Sequence, residues 1–372
     1  RKSTMLLSIF FLFVAIVVIQ FLYYIVVFGK FSFAKPQSGT PKRIPISVIV
    51  CAKNEEENVR NLIPLLVEQD YPQFEIVLID DASSDNTLEI FEEFEKLHSN
   101  IKLVKVENNE AFWGNKKYAL TLGIKAAKHE YLLFTDADCI PSSNNWIANM
   151  SSQFTVEKTI VLGYGAYEKI GGSFLNKIIR FETLLTAMQY FSWAKLGKPY
   201  MGIGRNLAYK REEFFKVRGF MDHMKIRSGD DDLFVNQAAE KKNTTICFLP
   251  DSFTYSKPKT SFKEWFAQKR RHVSTAKHYK LFDRNQLGLF YVSQLLFLLL
   301  SIILLAFQFQ WIAVVSMIGF RYIFAWVTMG FAAGKLKEKD VMYWFPIIEI
   351  VLIFTQLNIF LTNTLSKPVH WK

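Results

Sequence analysis

Hydrophobic positions fall into two kinds of run along this chain. Residues 5–28, MLLSIFFLFVAIVVIQFLYYIVVF, hold no charge, and only Ser8 and Gln20 are clearly polar. That length crosses a bilayer as one helix. A secretory signal has a shorter apolar core and small residues at a cleavage site. Aromatics and Gly29-Lys30 follow here, so residues 1–30 read as a membrane anchor. Three more apolar runs cover 287–307, 311–333 and 343–363. The second contains Arg321, and the third contains Pro346 and Glu349. The third therefore reads either as a span or as a buried or interfacial helix.

The middle of the chain has shorter runs of alternating period. Residues 31–44 are rich in Pro, Gly, Ser and Lys and read as a linker. ISVIVCA (46–52), FEIVLID (74–80), IKLVKV (101–106) and YLLFT (131–135) have the length and apolarity of strands. Between them lie NEEENVRNLIPLLVEQ (54–69), DNTLEIFEEFEKLH (85–98) and KKYALTLGIKAAK (116–128), with helical periodicity. Strands alternating with helices predict an α/β domain over 45–286, its mostly parallel sheet covered on both faces. Ligands of such sheets bind at the carboxyl ends of the strands. Two aromatic-rich amphipathic stretches, 176–196 and 262–279, lie either on the membrane surface or against the domain core. The predicted order is anchor, linker, α/β domain, C-terminal helices over 287–365 and a tail at 366–372.

Half of the 372 residues are hydrophobic, 35 of them Phe, which agrees with an integral membrane protein. The net charge of +11 raises nucleic acid as a partner. The basic residues crowd instead beside the apolar runs and in QKRRH (268–272), where anionic lipid or phosphate accounts for them, so no nucleic-acid partner is expected. Lys30, Lys35, Lys42 and Arg43 follow the anchor, and Lys335, Lys337 and Lys339 lie in the loop 334–340. This asymmetry places 31–286 in the cytoplasm of a bacterial-type inner membrane. Four spans leave Lys367, His370 and Lys372 outside; an interfacial last run returns them inside. Cys51, Cys139 and Cys247 are scattered among apolar residues and read as reduced core thiols, with no disulfide or zinc framework.

Acidic residues gather at the predicted strand ends. YLLFT runs into Asp136 and Asp138, two carboxylates one residue apart after a buried strand. Like charges there repel, and desolvation opposes both. A hard divalent cation that also takes substrate phosphates resolves the conflict. Alone, such a pair equally describes solvated loop acids. Asp80 and Asp81 end the second strand, where an acid can accept from a nucleobase N–H and where Ser84 or Asp85 can cap a helix. Glu55 follows the first strand. Lys116 and Lys117 open a helix, where dipole and ammonium favour anions. SGDDDLFVNQ (228–237) holds Asp230, Asp231 and Asp232 before an apolar helical run, as a general base or as an acidic cap. A guanidinium in QKRRH can hold a leaving diphosphate or form part of a basic surface stripe.

In order and spacing these segments resemble the membrane-bound, inverting family 2 glycosyltransferases with a GT-A fold, among them ceramide glucosyltransferase and the cellulose, chitin and hyaluronan synthases. The resemblance covers about residues 45–280 and implies a role for each matching position. SVIVCAKNEE, with Ala52 and Glu55, and DDASSDNT, with Asp81, match the uridine-binding region. Lys116 has the spacing of the lysine in G-K-x-x-A-L. Asp136 and Asp138 match D-x-D, with Asp138 the direct ligand of Mg2+ or Mn2+. GIGRNLAYKR (202–211), with Gly204 and Asn206, resembles the acceptor-lining segment. Aligning G-[DE]-D from Gly229 makes Asp231 the base, and a shift of one selects Asp232. QKRRH resembles Q-x-x-R-W, which puts Gln268 and Arg271 at the acceptor and diphosphate. His272 replaces the family's Trp, a ring that would stack on a sugar. This departure turns the expectation from processive synthesis toward transfer of one or a few sugars. The resemblance thus implies a metal-dependent enzyme moving sugar from a nucleoside-diphosphate sugar, UDP-linked by analogy, to a membrane-associated lipid or glycan. A processive polysaccharide synthase and an inactive nucleotide-sugar-binding membrane sensor are the alternatives.

Overall fold

The computed structural model describes residues 2–37, 39–107, 116–226 and 228–366. Gly114 and Asn115 of the GNKKYAL segment and the tail residues Lys367, His370 and Lys372 lie outside the described residues. The chain divides into an α/β unit, Lys35–Gly172 with Gly197–Thr260, and a helical unit, Arg1–Ala34 with Ser173–Leu196 and Ser261–Lys372.

The α/β unit contains ten strands: β1 Ile46–Ala52, β2 Phe74–Asp80, β3 Ile101–Lys105, β4 Tyr131–Asp136, β5 Cys139–Pro141, β6 Ile160–Leu162, β7 Gly165–Tyr167, β8 Leu207–Lys210, β9 Thr244–Ile246 and β10 Thr254–Ser256. Seven form one sheet in the order β3-β2-β1-β4-β8-β6-β9, and β5-β10-β7 form a second. The strands from β3 to β4 are parallel, while β8 runs antiparallel to both β4 and β6. β1 is apolar without alternation because helices cover both sheet faces. Val48, Ile49 and Val50 are almost wholly buried, each worth roughly 1.5–3 kcal/mol relative to exposure. Gly123, on the helix Lys116–Ala126, lets that helix close on β2: a Cβ there would stand 2.1 Å from Ile79 Cδ1.

Register explains why acids collect at one edge. Cys51 lies opposite Asp136, and Ala52 opposite Asp80. Three parallel strands therefore end together. The loops that follow β1 and β2 cap each other's helices. Asp85 Oδ2 accepts from Glu56 N at 3.2 Å, and Thr87 Oγ1 from Glu55 N at 2.9 Å. Asn54, in the left-handed region at φ 57°, accepts from Ser84 N at 2.7 Å.

Among the described residues, the helical unit holds four helices long and apolar enough to cross a membrane: Ser3–Ser32, Leu281–Ala306, Trp311–Lys335 and Lys339–Leu365. Pro346 falls within the first two positions of its helix Phe345–Leu365, where its missing N–H leaves no ladder bond broken. Arg321 is fully buried, donating to Glu349 Oε2 at 2.7 Å, Glu349 Oε1 at 2.5 Å and Gln20 Oε1 at 2.9 Å. The two charges that made the later apolar runs ambiguous thus neutralise each other. The first apolar helix passes through a π-helical stretch, Leu22–Phe28, which carries Tyr24 beside the same pair.

The expected domain 45–286 divides differently by contact: residues 173–196 and 261–286 belong to the helical unit. Packing gives the reason. In the helix Phe174–Lys195, Phe181 stacks on Phe345 with ring centroids 5.7 Å apart, and Arg180 is ion-paired with Glu338 and Asp340. The amphipathic stretch ends its α-helix at Thr275 rather than 279.

Candidate active site

Lys116 stands at the centre of the strand-end acids. It opens the helix Lys116–Ala126, and its Nζ lies 2.7 Å from Asp136 Oδ1, at the end of β4, and 3.1 Å from Asp230 Oδ2. Burial works against this ammonium, but the two carboxylates hold its pKa well above the usual lysine range. For Asp230, burial raises the carboxyl while Lys116 pulls it down, and Lys116 prevails. A cleft of about 360 Å³ brings Lys116, Asp136, Gly204, Asp230 and Asp231 together over a floor that includes Cys51, Phe134 and Tyr209.

Asp231 is held differently from its neighbours. It precedes the helix Asp232–Ala238, and its Oδ1 accepts from Asp232 N at 2.7 Å. Its Oδ2 accepts from Gly204 N, also at 2.7 Å. Burial first, then the like charges of Asp230 and Asp232, push its carboxyl up to about 7, against the Gly204 bond and Lys116. Asp232 is buried and folds its Oδ1 onto Leu233 N at 2.7 Å. Of the three acids, Asp230 is ion-paired, Asp232 serves the helix start, and Asp231 faces the cleft with a pKa suited to taking a proton near neutrality.

Asp136, Asp138 and Cys139 offer ligand atoms within 4.8 Å of one another. Burial keeps the Cys139 thiol protonated, and its Sγ lies 3.1 Å from Ser256 Oγ. The available donors are thus two hard carboxylates, a set that suits Mg2+ or Mn2+ completed by phosphate and water. Desolvation and then Asp136 raise the Asp138 carboxyl, against the pull of Arg205 and Lys116. Glu55 accepts from Asn58 Nδ2 at 2.6 Å, and desolvation raises it, with Asp138 and Asp136 adding repulsion. Burial also raises Asp81, against the pull of Lys53 and Lys116. The charge of Lys116 thus reaches Asp81, Asp138, Asp230 and Asp231 alike. Ala52 contributes backbone: its carbonyl accepts from Asp81 N at 2.9 Å.

Two polar side chains turn inward. Asn206 is fully buried, accepting from Trp146 Nε1 at 3.1 Å and donating to the carbonyls of Tyr164 at 2.9 Å and Ser252 at 2.7 Å. Lys117 turns toward backbone carbonyls. It too is fully buried, and its Nζ donates to the carbonyls of His223, Ile226 and Ser228, each at 2.8 Å. Burial pulls its ammonium down to about 8.

Gln268, Arg271 and His272 lie on the helix Phe262–Thr275 of the helical unit, whereas the acids belong to the α/β unit. Their neighbours in QKRRH have structural partners: Lys269 pairs with Glu182 at 2.6 Å, and Arg270 donates to Asn363 Oδ1 at 2.8 Å. Arg205 drew no attention in the sequence. Its guanidinium lies 4.3 Å from the Tyr167 ring centroid, donates to the Ala166 carbonyl at 3.0 Å, and is near enough to offset the charges of Asp138 and Asp136. Its place between Gly204 and Asn206 was the available signal.

Known proteins resemble this chain in part. The family model described as Glycosyl transferase family 2 matches residues 47–232, half of the chain, and the one described as Glycosyl transferase family group 2 matches residues 143–353. A poly-beta-1,6-N-acetyl-D-glucosamine synthase of Staphylococcus epidermidis is 41% identical over 95 residues, 26% of this chain and 22% of that protein. The probable glycosyltransferase YdaM of Bacillus subtilis is 27% identical over 240 residues, 62% of this chain and 55% of YdaM. The chain therefore spans between about a fifth and about half of these relatives' lengths. The mannosyltransferase PcManGT from Pyrobaculum calidifontis, solved with GDP-Man and Mn2+, superposes with a TM-score of 0.56 at 18% identity, covering 91% of this chain and 98% of that one. At that identity the likeness concerns the GT-A fold.

Proposed function

The chain belongs to glycosyl transferase family 2, and from that premise we propose that it transfers a sugar, with inversion, from a nucleoside-diphosphate sugar to a hydroxyl of a membrane-associated lipid or glycan. The observation that carries this reading is Asp231, fixed by Gly204 N–H and with its carboxyl pushed up to about 7, in one cleft with Lys116 and Asp136. Asp231 takes the proton from the acceptor hydroxyl. The acceptor oxygen then bonds to the anomeric carbon as the bond from that carbon to the diphosphate breaks. Lys116 provides positive charge where the diphosphate's charge develops. Asp138 and Asp136 would hold Mg2+ or Mn2+, which supplies electrostatic neutralisation of the leaving nucleoside diphosphate. Glu55, Asp81 and the Ala52 backbone line the nucleoside side, where Asp81 can accept from a base N–H; a UDP-sugar is the donor we favour. Arg271 is assigned to the diphosphate, and Gln268 and His272 to the acceptor, on Q-x-x-R spacing alone. The apolar helices and the positive-inside asymmetry support a membrane enzyme with its acids in the cytoplasm.

The likeness to a poly-N-acetylglucosamine synthase favours a second reading, repeated transfer to a growing chain. One experiment addresses both. Membranes containing the protein are incubated with a panel of labelled nucleotide sugars, with and without EDTA followed by Mn2+ or Mg2+, and products are sized after lipid extraction. Label on one or a few sugars in the lipid fraction supports single transfer, and a ladder of long chains supports the second reading. Asp231→Asn should lower transfer by about 10²–10⁴-fold while keeping nucleotide binding. Full transfer by that variant removes Asp231 as the base.

A further inference from the structure

Lys117 is the residue beside Lys116 that no spacing in the chain singles out, and its surroundings are unusual. Lys117 has no exposed surface. It sends its Nζ to three backbone carbonyls, those of His223, Ile226 and Ser228, at 2.8 Å each. An ammonium carries three N–H donors, so one side chain can gather three carbonyls. They belong to the segment that leads directly into Gly229 and the three acids. Among its described residues that segment has no strand ladder, and beyond the short turn Met221–His223 no helix. Its far end is also constrained. Gly229 has φ +91°, and a Cβ there would stand 2.5 Å from Leu233 Cδ1. The start of one helix thus holds the acidic segment twice, through Lys116 on the Asp230 side chain and through Lys117 on the backbone before it.

We propose that Lys117 is a positioning residue for transfer: by tying the backbone at His223, Ile226 and Ser228 to the helix start, it sets where Asp231 stands against Gly204 and the acceptor hydroxyl. The assignment rests on the reading of Asp231 as the base. It concerns geometry, since Lys117 donates to main-chain carbonyls and takes no part in the proton transfer. An apolar residue would fill the same space at lower desolvation cost but could not gather three carbonyls.

The test uses the full chain in detergent or nanodiscs and measures transfer kcat, donor KM and nucleotide affinity for Lys117→Met, Lys117→Arg, Asp231→Asn and the Lys117→Met/Asp231→Asn double variant. A misplacement of about 1 Å costs on the order of a hundredfold, so Lys117→Met should lose about that factor in kcat, with donor KM and nucleotide affinity preserved. Lys117→Arg keeps the charge on a planar fork and should recover part of the rate. In the Asp231→Asn background, Lys117→Met should cost nothing further, because both act through one carboxylate. Wild-type kcat for Lys117→Met, a parallel loss of nucleotide affinity, or additive losses in the double variant would each overturn the assignment. Should Lys117→Met fail to fold, Lys117→Arg decides alone: reduced kcat with intact nucleotide affinity supports it, and wild-type kcat overturns it. Asp231→Asn separates the two claims. If that variant is inactive and Lys117→Met is fully active, only the Lys117 assignment fails; if Asp231→Asn is fully active, the base reading itself fails.

Discussion

Replacing Asn206 by Ala tests whether this side chain serves the scaffold or the acceptor. The amide joins three segments: the start of the helix Trp146–Ser151, the link between β6 and β7 at Tyr164, and the turn Pro250–Ser252. Truncation removes all three bonds at once. The Tyr164 carbonyl keeps another donor, Thr254 N at 3.2 Å. The Trp146 N–H and the Ser252 carbonyl lose the partner shown here. A buried polar group left unpaired costs about 1–3 kcal/mol and an ordinary lost bond about 0.5–1.5 kcal/mol, so two of the former plus one of the latter come to roughly 3–7 kcal/mol. Against a total stability of about 5–15 kcal/mol, that is a large fraction. At roughly 2–4 °C per kcal/mol for a domain of this size, the unfolding midpoint should fall by on the order of 10 °C. Asn206→Asp, which sets a carboxylate against two carbonyl oxygens, should do no better. The assay is a fluorescence melt of the solubilised protein, paired with acceptor KM measured on the folded fraction. A wild-type melting temperature with a raised acceptor KM would refute the scaffold reasoning and return Asn206 to the acceptor.

Three further outcomes follow from the geometry. Asp231 must lose its proton to act, so transfer should rise with pH through about 7; Asp232→Asn removes one of the like charges that raise the Asp231 carboxyl and should move that limb to lower pH in a kcat profile. Arg321→Leu or Glu349→Leu alone should destabilise the helical unit by about 3–5 kcal/mol, and the double replacement should recover most of it in detergent melts, because one bare charge is worse than none. Gly123→Ala should cost about 1–3 kcal/mol by forcing the helix Lys116–Ala126 off Ile79, read as a lower melting temperature.

The parallel half of the sheet was legible because its strands are continuous apolar runs. β1 and β2 have the bounds read from the sequence, and the helix after β1 is only trimmed to Glu56–Val67. β6, β7, β9 and β10 were not legible: each has three residues, too few for any period to register. The site was readable where chemistry follows strand ends, as at Asp136. Side-chain direction was not legible: Asn206, assigned by resemblance, and Lys117, assigned by its place at a helix start, both point inward, and only the fold shows which way a side chain turns. Arg321 and Glu349 each looked like a mark against a span until packing joined them.

That buried pair also bears on how the protein is made. Arg321 leaves the ribosome 28 residues ahead of Glu349, so its helix is synthesised before the carboxylate that neutralises it exists. Gln20, translated some three hundred positions earlier, is already present to receive the guanidinium. An earlier stretch of the chain can thus receive the cation that a later one carries. A polypeptide interrupted between those two codons would leave that cation without its carboxylate on an apolar helix.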